Sequence, residues 1–262
     1  IGDNGCRLVL AKLADGTEQT LEAEMVLVAT GATPRELPDA KPDGERILNW
    51  TQMYNMTELP EHLVVVGSGV TGAEFAGAYM GIGVQVTLVS SRDRVLPHED
   101  PHAAQVIENV FARRGMTILN KSRAQSVRRT EDGVIVTLSD GREIEASHCL
   151  MAVGSIPNTS GIGLEEAGVT LKESGHILVD KVSRTTAFRV YAAGDVTGSY
   201  PLASVAAMQG RIAMNHSLGD YVEPLDVSKV AANIFTAPEI ATVGVTQKHV
   251  DEGLDAVMTI VP

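Results

Sequence analysis

Leu63-Val64-Val65-Val66-Gly67-Ser68-Gly69-Val70-Thr71-Gly72-Ala73-Glu74 is the stretch on which the fold turns. Four aliphatic residues without polar interruption suit a parallel strand buried on both faces. The glycines that follow, at GxGxxG spacing, have separate physical jobs. Gly67 allows the tight turn out of the strand, and Gly69 lets the backbone approach a pyrophosphate. Gly72 lets the following helix pack close to the sheet. A small-residue run carries that helix to Met80, and a second apolar run, Val84 to Val89, follows. A helix starting near Gly69 turns its free N–H groups and positive dipole end toward phosphate oxygens. GxGxxG alone is a weak pattern in a glycine-rich chain. The strand before it and the helix and strand after it are the context that gives it meaning. The expectation is a dinucleotide site built on Gly67, Gly69, Val70, Thr71 and Gly72.

The end of the second strand bears on which dinucleotide. An acidic residue about 20 positions beyond the glycines would bind ribose hydroxyls and favour NAD. Ser90 stands there, followed by Ser91, Arg92, Asp93 and Arg94. Hydroxyls and guanidinium groups suit a 2′-phosphate, because Arg offers a charged planar fork to phosphate oxygens. Two plainer readings compete: the arginines solvate a loop, or Asp93 meets a ribose. The pattern favours NADP (as NADPH), with NAD as the alternative.

At 262 residues the chain has room for one large or two ordinary domains. Hydrophobic content of 44% and charged content of 21% describe an ordinary globular protein. A net charge of −12 argues against non-specific nucleic-acid binding and against attraction to anionic membranes. No apolar run reaches the length of a membrane span, the N-terminus lacks a signal-peptide pattern, and a cytoplasmic address fits best. Cys6 and Cys149 stand far apart without a CxxC partner, and each reads as a small buried hydrophobe in a strand. Neither the seven histidines nor the carboxylates show zinc or calcium spacing, so no metal is expected. Ile1 opens directly into an apparent sheet and Met258 to Val261 reads as a strand cut short, so the chain looks like a segment of a longer protein.

Taken in order, Arg7 to Lys12 and Glu18 to Glu22 flank an Asp15-Gly16 turn, a hairpin signal. Met25 to Ala29 reads as a short buried strand running into Thr30-Gly31-Ala32-Thr33-Pro34. Residues 35 to 60 form a linker with a short helix around Trp50 to Met56. Asp100-Pro101 starts a helix that Gly115 ends, with Val106, Val110 and Phe111 as its core face. The cluster from His98 to His102 reads as a solvated helix start rather than a metal site. Met116 to Leu119 is a third parallel strand. An antiparallel meander follows, over Gln125–Arg129, Val134–Leu138 and Arg142–Ala146. Cys149 to Val153 is again a buried strand ending in glycine, at Gly154, an internal echo of Ala29-Thr30-Gly31. Ile177–Val179 and Val190–Ala192 read as strands, the second leading into Gly194-Asp195. Pro201 to Leu218 reads as a helix with Ala203, Ala206 and Ala207 on a close-packing face. Phe235, Ile240 and Val243 to Val245 mark the strands of a further segment.

Several motifs in this order carry a family resemblance. They are Ala29-Thr30-Gly31, Gly67 to Glu74, Gly154-Ser155-Ile156-Pro157-Asn158, Tyr191-Ala192-Ala193-Gly194-Asp195-Val196, and Pro238-Glu239-Ile240-Ala241-Thr242-Val243-Gly244. The chain resembles the FAD-dependent pyridine nucleotide–disulfide oxidoreductases, the group of lipoamide dehydrogenase and glutathione reductase. Within that group it is most similar to the actinobacterial lipoamide-dehydrogenase-like branch of NAD(P)H:quinone reductases. The resemblance implies an α/β fold in which a Rossmann-like dinucleotide-binding domain, a parallel sheet plus an antiparallel meander, is inserted in a partial FAD-binding domain. The implied division is 1–34 and 157–230 for FAD, 35–156 for NAD(P), and 231–262 as the start of an α+β interface domain.

It further implies that Gly67, Gly69, Val70, Thr71, Gly72, Ser90, Ser91, Arg92 and Gly154 serve NAD(P), with Glu74 facing the nicotinamide. Ala29, Thr30, Gly31, Gly194, Asp195, Leu202 and Ala203 would serve FAD, Asp195 at the ribityl chain and Leu202 and Ala203 by backbone at the flavin ring. Two departures stand out: Ser155 where many members have Arg, and Ser204 where many have His. The first FAD fingerprint and a CxxxxC redox pair are expected before Ile1, and a His–Glu pair after Pro262. The leading expectation is an FAD- and NADPH-dependent oxidoreductase acting on a quinone or similar electron acceptor, as a homodimer. The alternatives are a disulfide reductase of the lipoamide, glutathione or mycothione kind whose cysteines lie outside this segment, and a non-catalytic pyridine-nucleotide-binding module.

Overall fold

The structure, a computed structural model, describes residues 5–261, so the expectation for Ile1 lies outside the described residues. In chain order the elements are β1 (Arg7–Lys12), β2 (Glu18–Ala23), β3 (Val26–Val28), β4 (Ala32–Pro34), β5 (Ile47–Asn49), α1 (Trp50–Met53), β6 (His62–Val66), α2 (Val70–Gly81) and β7 (Gln85–Val89). Then follow α3 (Pro101–Arg113), β8 (Thr117–Leu119), β9 (Ala124–Arg129), β10 (Val134–Leu138), β11 (Glu143–Ala146), β12 (His148–Met151) and β13 (Ser155–Pro157). The remainder is β14 (Val190–Ala192), α4 (Ala203–Ser217), β15 (Ala232–Ile234), β16 (Ile240–Thr242) and α5 (Gln247–Asp251). The chain divides into two compact units. One holds the residues up to Thr33 with Ile156–Val230, the other Pro34–Ser155 with the segment from Ala231 on.

The second unit is built on a five-stranded parallel sheet in the order β5-β12-β6-β7-β8. Alternation along its strands decides what covers each face, because successive side chains point to opposite sides. Leu63 and Val65 of β6, with Val86 and Leu88 of β7, pack in the same cluster as Ala73 and Ala76 of α2 and Ile107 and Phe111 of α3. Val64, Val66, Val89, Cys149 and Met151 face the other way and pack with Val127, Val134, Val136 and Leu138 of the β9-β10-β11 meander. Both faces of β6 are therefore dry, which is why its four aliphatic residues run without a break. Helices α2 and α3 approach closely at Gly77, where an added Cβ would lie 3.1 Å from the Phe111 ring. The β15–β16 hairpin groups with this unit, and its Ile234 and Ile240 join the helix-side cluster.

The first unit holds the β1–β2 hairpin closed around Asp15-Gly16, the parallel pair β3–β14, and helix α4. Its core gathers Val28, Leu164, Val169, Ile177, Val190, Ala192 and Val196.

Several expectations are corrected. Ile177–Val179 forms no strand; Ile177 makes only an isolated bridge to Leu171. The helix at Trp50 ends at Met53, not Met56. Val106 is 53% exposed, and the buried face of α3 is Ala104, Ile107 and Phe111. Ala203 and Ala207 are exposed, and α4 instead buries Val205, Gln209, Ile212 and Ala213. Of β3 only Val28 is buried, and Cys6 lies half-buried just before β1 rather than within a strand. Val243–Val245 and Met258–Val261 form no strands.

Candidate functional site: the glycine turn and its flanking loop

The turn between β6 and α2 is held by glycines for unlike reasons. Gly67 has φ +112°, and a Cβ there would sit 2.2 Å from the carbonyl oxygen of Ala152. At Gly72 a Cβ would sit 1.8 Å from the carbonyl oxygen of Gly67. Both are required by the chain itself. Gly69 is different: φ is −69° and ψ −173°, extended backbone open to any residue, and an added Cβ meets nothing within 4 Å. No contact among the described residues demands glycine there. Gly69 is the N-cap of α2, no side chain caps the helix, and Val70 and Thr71 are exposed. The first-turn N–H groups thus stay open at the positive end of a twelve-residue helix, an arrangement that fits an anionic diphosphate.

The loop after β7 is tied to this turn by buried hydroxyls. Ser90 is fully buried, and its Oγ lies 2.6 Å from Ser68 Oγ. The same oxygen accepts the Arg92 backbone N–H at 3.1 Å. The Leu96 N–H donates to Ser68 O at 2.8 Å, and the Lys121 N–H to Arg92 O at 2.7 Å. Ser90 is therefore turned inward, while Ser91, Arg92 and Asp93 are exposed. Among the described residues the Arg94 side chain donates only to Pro97 O, at 3.4 Å, and its Nε is buried without a partner. Further along α2, Glu74 Oε1 accepts the Phe235 backbone N–H at 2.9 Å. Gly154, at φ +94°, is exposed, and its carbonyl accepts the Arg35 N–H at 2.9 Å.

In the first unit, Ala29 and Thr30 are exposed at the end of β3, and the turn they open is fixed by Asn158. Asn158 Nδ2 donates to Thr30 O at 2.8 Å, its backbone N–H donates to Gly31 O at 3.0 Å, and Thr30 Oγ1 donates to Asn158 O at 2.7 Å. After β14, Gly194 takes φ +79° and Asp195 is exposed. Gln209, buried inside α4, accepts the Gly194 N–H at 2.8 Å and donates to Thr197 Oγ1 at 3.3 Å. Leu202 is the N-cap of α4 and provides no side-chain cap, with Ala203 exposed beside it. An exposed carboxylate after a glycine turn and an uncapped helix start suit ligand hydroxyls and a ring that gathers negative charge.

Sequence reasoning missed Ser68, Glu108, Asn120 and Gln209. A signal existed for two of them. Glu108 interrupts the Ala104, Ile107, Phe111 stripe of α3, and Gln209 interrupts the Val205, Ile212, Ala213 stripe of α4. A groove of about 1020 Å³ in the first unit, beside Phe188, Tyr191 and His216, holds none of the predicted site residues. Burial drives the Cys149 thiol far above its ordinary range, so it stays protonated and unreactive. At the cluster around Asp100, the carboxylate caps α3 through the His102 N–H at 2.9 Å. Among the described residues no group of three His, Cys, Asp or Glu is placed to hold a metal ion, and no helix is long and apolar enough to cross a membrane.

Comparison with known proteins bears directly on this geometry. A profile of the pyridine nucleotide-disulphide oxidoreductase family matches residues 2–210. The chain is 58% identical over 252 residues to a protein of Mycobacterium tuberculosis named NAD(P)H dehydrogenase (quinone), covering 96% of this chain and 51% of that one. It is 34% identical over 249 residues to a dihydrolipoyl dehydrogenase of Zymomonas mobilis, covering 93% and 53%. The crystal structure of LpdA from Mycobacterium tuberculosis superposes with a TM-score of 0.89 at 59% identity, over 93% of this chain and 53% of that one. The chain thus spans about half the length of the curated relatives it matches. With a family profile over most of its length, this chain belongs to the pyridine nucleotide-disulphide oxidoreductase family.

Proposed function

We propose that the intact protein is a flavoprotein oxidoreductase. It takes hydride from NAD(P)H, NADPH in preference, and passes electrons to a quinone-type acceptor. The observation that carries this reading is Gly69, a residue that no contact within the chain requires to be glycine, at the open start of a helix. Gly67 and Gly72 shape the turn, while Gly69, Val70 and Thr71 offer backbone to the diphosphate. Ser91 and Arg92, exposed beside it, face the 2′-phosphate, and Ser90 contributes by fixing the loop from within. Gly154 borders the same site. Glu74, held by the Phe235 N–H, presents its second carboxylate oxygen to the nicotinamide end. In the first unit Ala29, Thr30, Gly31 and Gly194 admit FAD closely, Asp195 accepts from ribityl hydroxyls, and the N–H groups at Leu202 and Ala203 face the ring. When bound, FAD and the nicotinamide coenzyme supply hydride transfer and onward electron release. A homodimer is carried by the family resemblance, and a cytoplasmic address by the composition and by two cysteines that stand far apart in sequence.

The quinone acceptor rests on the name of the 58% identical mycobacterial relative. Disulfide reduction is the second reading, favoured by the dihydrolipoyl dehydrogenase relative. The test is anaerobic titration of the intact protein with NADPH, followed by addition of a benzoquinone or of lipoamide. Flavin absorbance that bleaches with NADPH and returns with quinone supports the proposal. Return with lipoamide alone moves the assignment to disulfide reduction. A colourless protein that binds NADPH makes it a binding module.

A further inference from the structure

We infer that Glu108 is a positioning residue for coenzyme discrimination, an inference that rests on the NADPH reading above. Glu108 lies on α3, away from the glycine turn in sequence, yet one of its carboxylate oxygens is committed to the loop beside that turn and the other to the segment after β8. Oε2 accepts the Val95 backbone N–H at 3.0 Å, and Oε1 accepts from Asn120 Nδ2 at 2.7 Å. Val95 ends the arginine loop, and Asn120 follows β8 next to Lys121, whose N–H holds Arg92 O. One carboxylate thus staples two backbone segments around the arginines.

The loop also stores strain where the staple acts. Leu96 takes φ +51° while buried, a conformation that L-residues with bulky side chains avoid. Such outliers persist only where their surroundings over-determine them, and they gather at ligand clamps. Here the surroundings are the Glu108 acceptor on Val95 and the Ser68 carbonyl on Leu96. The strain and the staple together hold Arg92 at a fixed distance from the turn that takes the diphosphate. A charged group held in advance binds phosphate without the ordering cost of a free loop. Removing the staple should therefore weaken the coenzyme that has a 2′-phosphate and spare the one that lacks it.

The test measures NADPH and NADH dissociation constants and thermal midpoints for the intact protein and its Glu108→Ala, Glu108→Gln and Glu108→Asp variants. In Glu108→Ala the NADPH constant should rise roughly tenfold while the NADH constant changes by less than about twofold. Glu108→Gln should restore most of the discrimination. Its oxygen accepts from Val95, and its new amide donates to Asn120 Oδ1 once the Asn120 amide turns over, because the native arrangement points Asn120 Nδ2 at the carboxylate and leaves Oδ1 without a partner. Glu108→Asp keeps the charge but falls one methylene short, and it must also narrow the ratio; it decides the question where the alanine variant does not fold. A lowered thermal midpoint with an unchanged NADPH-to-NADH ratio shows a merely structural role and overturns the inference. A native protein that binds neither coenzyme overturns the functional reading itself, an outcome visible before any variant is made.

Discussion

Alanine at Gly69 and alanine at Gly67 should separate ligand binding from folding. At Gly67 the substitution forces φ +112° on a residue with a Cβ and drives that Cβ to 2.2 Å from a backbone carbonyl that cannot rotate away. Backbone strain and overpacking are each worth about 1–3 kcal/mol, so roughly 2–6 kcal/mol is lost. At about 2–4 °C per kcal/mol for a chain of this size, the thermal midpoint falls by roughly 5–20 °C. Gly69→Ala meets no atom within 4 Å and keeps an allowed backbone. Alanine is the poorer N-cap, but it also loses less chain entropy on folding. These effects oppose each other, and stability changes by less than about 1 kcal/mol. The methyl group does occupy the space where the diphosphate must approach. Loss of one or two charge-assisted hydrogen bonds raises the coenzyme dissociation constant by roughly 10–100-fold. Urea unfolding followed by circular dichroism gives the stability arm, and fluorescence titration with NADPH gives the binding arm. If Gly69→Ala unfolds as readily as Gly67→Ala, or binds NADPH as the native protein does, the division of labour among the glycines is refuted.

Arg92→Ala should raise the NADPH constant by roughly tenfold and leave NADH nearly untouched, and equal losses would remove Arg92 from the 2′-phosphate. Gln209→Leu leaves the Gly194 N–H buried without its acceptor, so it should cost about 1–3 kcal/mol and release flavin at a lower temperature; unchanged flavin retention would argue against the turn it supports. Phe111→Ala empties the contact between α2 and α3 at Gly77 and should cost about 3–5 kcal/mol in urea unfolding. Burial lowers the pKa values of His62 and His148, with the Arg46 charge adding to the second. The unfolded chain therefore binds more protons between each folded value and the ordinary value of about 6.5. Their contribution is complete above about pH 6.5 and is lost as pH falls through the folded values. The urea midpoint should drop between pH 7.5 and 5.5, and by less in a His62→Gln, His148→Gln double variant.

What the sequence makes legible here is what repeats or what glycine alone can do. The unbroken Leu63–Val66 run and the spacing of Gly67, Gly69 and Gly72 identify a parallel sheet and its ligand-facing turn from local residues. Errors arise where partners distant in sequence decide. Ser90 stands at the position that points to a ribose or phosphate, yet Ser68, 22 residues earlier, draws its hydroxyl inward. Val106 is as apolar as the core asks, but the helix turns Ala104, Ile107 and Phe111 to the sheet and leaves Val106 in water. The alanines of α4 suit close packing by size, yet the buried stripe runs through Gln209, whose side chain accepts the Gly194 N–H. Polar residues set in apolar stripes, Glu108 in α3 and Gln209 in α4, are the exceptions that helical periodicity flags without explaining. In both cases the side chain satisfies a backbone N–H close in sequence to a proposed ligand-facing residue: Val95, three residues after Arg92, and Gly194, beside Asp195. Val70, Thr71, Arg92 and Asp195, proposed to meet ligand, are exposed and readable from motif. The groups that hold them still are buried polar residues, so loss of either should move affinity and specificity further than its distance from the ligand suggests.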